Sequence, residues 1–341
     1  MGFLSQAGFV GFKTQAAKGT YMDPGSAGTP GVFIRTKSGA LGGNRELLIP
    51  DPEIGGNRDV PDAQLGPISF SGEYSAYLRM ESLAFMLKSV LGTAAAPTGS
   101  AGAGYTHVIT PSDTTLPWIS VEEQIANAYM NFKYTDCKAN TFNMEADANG
   151  YLSGTMGMIG LTQAIQSAPT ASNLQMVDTS PLLVGTNITI AWNGATLPAK
   201  SFKLDVMNNL EDDDFRLGSL FLGDLVEKRR EVTLGCTIRP QDAALWKTAM
   251  WGGPTATVPL GQSFKDDAVI TISSYEDIPG ATAGTKYSAT FTVPNAVIAP
   301  FSLDPSGDDV LEHDLEIRAV RPLPGTAILT ASVKNSSATL P

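Results

Sequence analysis

The chain has 341 residues, of which 43% are hydrophobic and 17% are charged, and its formal net charge is −11. This length predicts two domains, and the sequence carries too little charge to be a disordered polyelectrolyte. An acidic chain is poorly suited to gripping a nucleic-acid backbone, because that binding depends on Lys and Arg. The 34 glycines and 22 prolines cluster between short apolar runs, which favours β structure with long loops.

The first part of the chain predicts an irregular arm, then strands and one helix. Residues 1–31 are rich in glycine and are predicted as an arm, and residues 37–65 are predicted as a long loop. The clearest helix is predicted over residues 77–91, because apolar residues recur on one face and Gly92 supplies a stop. The predicted strands are 32–36, 68–73, 105–110, 119–125 and 128–134, followed by a hairpin over 139–159.

A stretch rich in Gln, Ala, Ser and Thr, residues 166–185, predicts a linker between two units that span residues 32–165 and 186–341. The second unit contains a helix that follows Pro240 and ends before Gly252. Its predicted strands are 187–192, 201–207, 231–239, 268–274, 286–293 and 327–333, with a hairpin over 297–321. We therefore expect a mainly β fold with two tandem β-sandwich or half-barrel units, each with one flanking α-helix.

The two units share an internal repeat. Five apolar residues recur 159 residues later: Phe142, Met144, Leu152, Met156 and Met158 return as Phe301, Leu303, Leu311, Leu315 and Ile317. The same offset carries residues 86–88 onto residues 245–247, within the two predicted helices. An offset that is unbroken through strand, turn and strand indicates a duplicated folding unit, which is typical of architectural and binding proteins. The alternative is chance, since a chain with 43% apolar residues must give some alternating matches.

The sequence contains no recognisable catalytic or cofactor-binding pattern. Neither His107 nor His313 has a neighbour in a nucleophile pattern, and the chain has no GxSxG or GxxxxGK[ST] motif. Cys137 and Cys236 lie outside any CxxC pair, which predicts buried thiols, with one disulfide as the alternative. Enzymatic activity is unsupported, and we expect no cofactor and no metal.

Membrane and export signals are also missing from the sequence. No apolar run approaches the ~20 residues that span a bilayer. The first residues lack the basic start of a secretory signal. We expect a protein that has no membrane partner and is made in a cytoplasm.

Five segments, in this order, carry a resemblance to a known family. They are residues 11–20 (GFKTQAAKGT), 88–92 (KSVLG), 201–211 (SFKLDVMNNLE), 225–235 (LVEKRREVTLG) and 293–298 (VPNAVI). Over nearly its whole length the chain resembles the major tail tube proteins of long-tailed, siphophage-type bacteriophages. These are structural motifs whose order and spacing agree throughout the chain.

The resemblance implies a structural protein of the virion tail that assembles into stacked rings, through which the genome is ejected into the host. It implies a barrel shared between subunits, a long loop that reaches the adjacent ring, and arms that lock the stack. The implied partners are other copies of the chain, the tape measure protein, the tail-tip and terminator proteins, and double-stranded DNA that passes without specific binding. If each chain supplies two units, three chains close a ring with pseudo-sixfold symmetry; six chains are the alternative.

Two sets of residues are candidates for these roles. The candidate ring-stacking residues lie in the long loop and are Arg45, Glu46, Leu47, Leu48, Ile49, Arg58 and Asp59. The candidate lumen residues are acidic, because carboxylates keep DNA phosphates from sticking, and are Glu122, Glu123, Glu145 and Glu312.

A protein of another class is the alternative interpretation: a β-rich receptor- or carbohydrate-binding virion protein, such as a tail fibre or decoration protein. Its sugar platforms would be Trp118, Trp192, Trp246 and Trp251. The last two lie in the second predicted helix and at its end, where packing in the core is the more favoured role.

Overall fold

A computed structural model describes residues 8–26, 31–55, 58–60, 62–126, 130–166, 178, 180–302, 310–321 and 324–340. Over these residues the chain forms eighteen strands and two α-helices, and the strands join into one antiparallel sheet. The mainly β fold class predicted from the sequence is thereby confirmed.

We call the elements up to β10 the first half and the elements from β11 the second half. The first half consists of β1 (Phe9–Thr14), β2 (Val32–Ile34), β3 (Thr36–Leu48), β4 (Gln64–Tyr77), α1 (Met80–Leu91), β5 (Gly92–Ala94), β6 (Thr98–Ser100), β7 (Gly104–Pro111), β8 (Ile119–Ile125), β9 (Met130–Asp147) and β10 (Ser153–Ile165). The second half consists of β11 (Ile188–Trp192), β12 (Ala195–Thr196), β13 (Ala199–Met207), β14 (Glu231–Ile238), α2 (Ala244–Trp251), β15 (Asp266–Asp277), β16 (Lys286–Ile298), β17 (His313–Ala319) and β18 (Thr330–Asn335).

The two halves have the same strand order. In the first half the strands pair as β2-β1-β8-β9-β10-β4-β3. In the second half they pair as β12-β11-β15-β16-β17-β14-β13. Along the chain, these seven strands and the helix between them occur in the same order in both halves, whereas β5, β6, β7 and β18 have no counterpart.

The pairing register also repeats. Met158 pairs with Ala139 in the first half, and Ile317 pairs with Ile298 in the second, with each residue displaced by 159 positions. This is the offset at which the apolar residues recur in the sequence.

Irregularities in the sheet occur at matching places. The β3–β4 ladder shifts register between Thr36 and Ser38, and the β13–β14 ladder shifts between Ala199 and Ser201. The β8–β9 and β15–β16 ladders likewise each shift after their first pair. A β-bulge bends its strand and increases the twist. Matching bulges therefore give the two sheets matching local curvature.

Two predictions for the first half differ from the structure. Residues 9–14, predicted within the arm, form β1 between β2 and β8, and the Phe12 side chain is fully buried there. Residues 37–48 and 64–65, at the two ends of the predicted loop 37–65, lie in the paired strands β3 and β4. The sequence does not predict β3, because the strand shows no alternation of apolar and polar residues. Nearly every residue of β3 is exposed, and Leu41 is its only buried one.

The two halves are joined directly within the sheet. Residues 141–147 of β9 pair with residues 201–207 of β13, and β7 of the first half pairs with β18 of the second. The segment between β13 and β14 also folds back over the first half. There Leu222 and Leu225 form a small apolar cluster with Leu116, Ile159 and Leu161.

Helix α1 is the centre of the main core. Ten of its twelve residues are buried, and it packs against β7, β9 and β18. Gly92 ends the helix with φ 102°, a conformation that L side chains rarely adopt, and a Cβ there would lie 2.8 Å from Cβ of Ser112. The shorter α2 has one buried residue, Thr248, so the second half surrounds its helix less completely.

Candidate functional site

One continuous sheet face stays polar across both halves. It is formed by β4, β10, the second part of β9, β13, β14 and β17, which are consecutive neighbours. Alternate residues of a strand point to opposite faces. On β13, for example, Leu204 and Val206 are buried in the core, whereas Lys203 is exposed and Asp205 is half-buried on the opposite face. We call this the polar face.

The polar face is strongly acidic. The ladder registers place the following charged residues on it: Glu73, Glu145, Asp147, Lys203, Asp205, Glu231, Asp314, Glu316 and Arg318. Among the described residues of these strands, seven carboxylates on this face therefore stand against two cations, a net charge of −5. An excess of one sign on a surface repels like-charged polymers over about one Debye length, about 8 Å at physiological salt.

Part of the polar face is concave. A groove of about 460 Å³ crosses β9, β13, β14 and β17, and its lining includes Glu145, Asp147, Lys203, Thr237 and Asp314. Its lining is mainly polar, and it lies open on the sheet surface. This shape suits a wall along which a polymer slides better than a pocket that encloses a small ligand.

Two of the predicted lumen residues are exposed. Glu145 lies on the polar face, directly opposite Lys203. Glu312 accepts hydrogen bonds from Lys200 (2.6 Å) and Arg239 (3.0 Å) just before β17, and these bonds lower the pKa of its carboxyl. The charge of Glu312 is therefore compensated locally, and it contributes little to a repelling surface.

The other two predicted lumen residues are buried, and the prediction is wrong for them. Glu122 and Glu123 lie in β8, between β1 and β9, with 0% and 3% of their surface exposed. Neither face of this strand meets solvent, because residues 119–124 are all buried. Burial raises the pKa of Glu123 to about 7, although hydrogen bonding involving Leu41 and Tyr134 opposes the shift.

Sequence reasoning also missed most of the acidic residues of the polar face. Asp205, Glu231, Asp314 and Glu316 lie at alternating positions in strands whose intervening residues are apolar. That period-2 pattern was visible in the sequence. What it does not show is that three strands distant in the sequence lie side by side and add their charges on one surface.

The β3–β4 hairpin is the other unusual surface, because it exposes apolar side chains. Arg45, Glu46, Leu47 and Leu48 of the predicted stacking set lie in β3, and Ile49, Arg58 and Asp59 follow it. The exposed large apolar residues of the hairpin and its connection are Leu47, Leu48, Ile49, Ile54, Val60 and Leu65, each 48% exposed or more. Large exposed apolar side chains concentrated in one hairpin and its connection indicate an interaction site.

The tryptophans have structural surroundings. Trp192 is 4% exposed, and the rings of Trp246 and Trp251 pack edge to face with centroids 5.2 Å apart. Lys138 Nζ lies 4.1 Å from the ring centroid of Trp118. These contacts give each tryptophan a packing role and cover part of its ring surface, which disfavours a carbohydrate-binding role.

The described residues give no sign of metal or membrane binding. Within them, no cluster of three His, Cys, Asp or Glu side chains is arranged to hold a metal ion. Cys137 and Cys236 are buried free thiols. No described helix has the length and hydropathy needed to cross a bilayer.

An antiparallel sheet with a long acidic face, an apolar hairpin and, among the described residues, unpaired outer strand edges is typical of a structural protein that self-assembles. The family model for phage tail tube proteins matches residues 5–319, so the chain belongs to that family. It is a structural protein of the virion tail and assembles into an oligomeric tube. A comparison with curated proteins gave no match.

Proposed function

We propose that three chains close each ring of the tube and that the ring has pseudo-sixfold symmetry. The observation that carries this proposal is the repeated strand order, with matching registers and bulges, in the two halves. On this proposal the chain is duplicated, with units over residues 32–165 and 186–341 and a linker over 166–185. Each unit then supplies one of six similar parts of a shared barrel, whose closure covers the exposed sheet edges.

The polar face lines the channel in this proposal. Its carboxylates keep phosphates from the wall, and double-stranded DNA passes without specific binding because few cations are available to replace its counterions. The residues that carry this role are Glu145 together with Glu73, Asp147, Asp205 and Asp314, rather than the buried pair in β8. The tube serves as the conduit for genome ejection and has no catalytic step.

The apolar hairpin makes the contact between successive rings. Its exposed leucines and isoleucines have no covering surface among the described residues, and burying them against the next ring releases roughly 25 cal/mol per Å² of apolar area. A head-to-tail contact of this kind adds rings without limit and gives an open filament. The tape measure, tail-tip and terminator proteins then set its length and ends, and all are made in the host cytoplasm.

Electron microscopy of the purified protein tests the proposal. Tubes or rings whose averaged end views have threefold symmetry in whole chains, with six similar lobes, are expected. Six whole chains in a ring would overturn the trimer, and discrete small oligomers at high concentration would count against tube formation.

A further inference from the structure

The join between the two halves is a strand pair inside one chain. Residues 141–147 of β9 lie antiparallel to residues 201–207 of β13. On the polar face Asn143 is opposite Asp205, and its Nδ2 donates a hydrogen bond of 2.9 Å to Oδ1 of that residue. On the core face Phe142 is opposite Val206.

The two ends of the sheet hold the counterparts of this join. By strand order, β3 has the place in the first half that β13 has in the second. Residues 299–302, which continue β16, correspond to residues 140–143 of β9 at the offset of 159. Ala299 N–H donates to Glu316 O of β17 on one side. Among the described residues, no ladder covers the other side of residues 299–302, and β3 pairs with β4 alone.

We propose that β3 of one chain pairs with residues 299–302 of a second copy of this chain, in the register of the internal join. The inference rests on the proposed function and specifies its ring contact. Each residue of β3 corresponds to the residue of β13 that lies 163 positions later, because the register shift at Thr36 and Ser38 recurs at Ala199 and Ser201. By this correspondence Asp205 matches Gly42, and by the offset of 159 Asn143 matches Ser302. The internal pair of Asp205 and Asn143 therefore predicts a pair of Gly42 and Ser302 between two chains. Both of these residues are exposed.

The core-face pair supports the same register. The pair of Val206 and Phe142 maps onto Gly43 and Phe301. A Cβ on Gly43 would lie 3.2 Å from Ile68 Cδ1, so the position favours a residue without a side chain. An aromatic ring from the neighbouring strand covers such an edge glycine well. The ring of Phe301 already packs at 5.0 Å from His313 and is half-buried, so one side of it is available.

A second copy is the occupant that this edge requires. A long unpaired strand edge is a template for further pairing, and soluble proteins normally block it with charge, proline or a covering element. The part of β3 that faces the join, residues 38–44, has no charged residue and no proline. One chain offers β3 at one end and residues 299–302 at the other, so the contact is head-to-tail and repeats until the ring closes.

Disulfide crosslinking of assembled tubes tests the register. The double variant Gly42→Cys/Ser302→Cys places two thiols on directly opposed residues, whose Cβ atoms lie ~4.5–5.5 Å apart, near the spacing of a disulfide. Mild oxidation is expected to convert the monomer band on a non-reducing gel into covalent dimers and closed trimers, with no larger species. The native Cys137 and Cys236 are buried, so wild-type tubes are expected to stay monomeric on the gel.

The matched control is Ser38→Cys/Ser302→Cys. It keeps both thiols on the same faces but displaces one by four residues, about 13 Å along the strand. It is expected to stay uncrosslinked. Crosslinking of the control in place of the test pair, or of neither pair in intact tubes, would overturn the register while leaving tube formation standing.

Failure of wild-type protein to form rings or tubes would instead count against the proposed function. If the first variant does not fold, as judged by its melting curve, Asn44→Cys/Pro300→Cys tests the same register. These two positions are exposed and correspond to the internal pair of Met207 and Thr141.

Discussion

The ammonium nitrogen of Lys138 lies 2.6 Å from Oε1 of Glu227, and the two side chains are 4% and 20% exposed. This ion pair ties β9 of the first half to the segment that folds back from the second. Lys138 also donates to the Leu225 carbonyl, and Glu227 accepts from the Leu116 N–H. Burial would raise the pKa of Glu227, but these hydrogen bonds and the nearby ammonium lower it overall.

Lys138→Ala is expected to reduce the free energy of unfolding by about 1–3 kcal/mol, because it leaves the partly buried Glu227 carboxylate without its cation. Urea denaturation of the unassembled chain measures the loss. Arg318→Ala is the control, since it breaks an exposed ion pair with Glu316 and should cost less than about 1 kcal/mol. Equal losses in the two variants would contradict the role given to Lys138.

The buried Glu123 predicts a pH dependence of stability. Its pKa is about 7 in the folded chain and 4.5 for an ordinary glutamate, so between these values the folded chain binds the extra proton. The contribution of Glu123 to the free energy of unfolding is therefore greatest below pH 4.5 and falls as the pH rises to 7. Above pH 7 it stays level, with a total loss of about 3 kcal/mol. Tyr74 and Tyr134, which lie near this carboxyl, have raised pKa values and stay neutral throughout this range.

Glu123→Gln removes this titration. The difference in unfolding free energy between pH 5 and pH 8 is expected to be smaller in this variant than in the wild type. Glu145→Gln, at an exposed position, should behave like the wild type. If Glu123→Gln retains the full wild-type difference, the carboxyl is not the group responsible.

Charged substitutions in the apolar hairpin are expected to prevent the stacking of rings while leaving the fold of each chain intact. Leu48→Glu/Ile49→Glu places charges on side chains that are 48% and 56% exposed, so the unfolding free energy should change by no more than about 0.5 kcal/mol for each. Rings are expected to accumulate without forming tubes, as seen by electron microscopy and sedimentation. Val258→Glu, at another exposed apolar position, should leave tubes intact. Normal tubes from the double variant would remove the hairpin from the stacking contact.

The charge of the polar face predicts how DNA moves through the tube. Glu145→Lys/Asp314→Lys adds two cations in the groove, and tubes of this variant should retain duplex DNA at low salt and release it as salt rises. The logarithm of the binding constant should fall with the logarithm of the salt concentration, with a slope of about −0.9 per phosphate contact.

Virions carrying Glu145→Gln/Asp314→Asn should eject DNA more slowly than wild type. Unchanged ejection kinetics would argue against repulsion. Glu276→Lys, on β15 and away from this face, is the matched control.

Much of the fold was predictable, because a strand with one buried face shows alternating apolar and polar residues in its own sequence. Residues 119–125 were predicted as a strand and form β8, and the helix predicted over 77–91 contains α1. The β3–β4 hairpin was missed because its glycine-rich strand lacks a buried face in the single chain. The last two residues of β9, Ala146 and Asp147, pair only with β13 of the second half, which no local pattern reports.

The candidate surfaces were predictable only in part. Burial of β8 results from β1, a segment that the sequence presents as an arm, so the error over Glu122 and Glu123 follows from the missed strand. The place of Glu145 at a channel wall and of Leu47 and Leu48 in a stacking contact stay predictions. What the sequence alone does not supply is the lateral order of strands, on which the summed charge of a face depends.

The strand β18 lies between β16 and β7, and Asn335 Oδ1 lies 3.1 Å from His107 Nε2. The strand β7, residues 104–111, thus pairs with β18, residues 330–335, which lies near the end of the sequence. During synthesis on the ribosome, the early part of the polypeptide must wait for more than two hundred further residues before this ladder can close. A prematurely terminated product lacks β18, so its β7 and β16 each keep one edge without this partner.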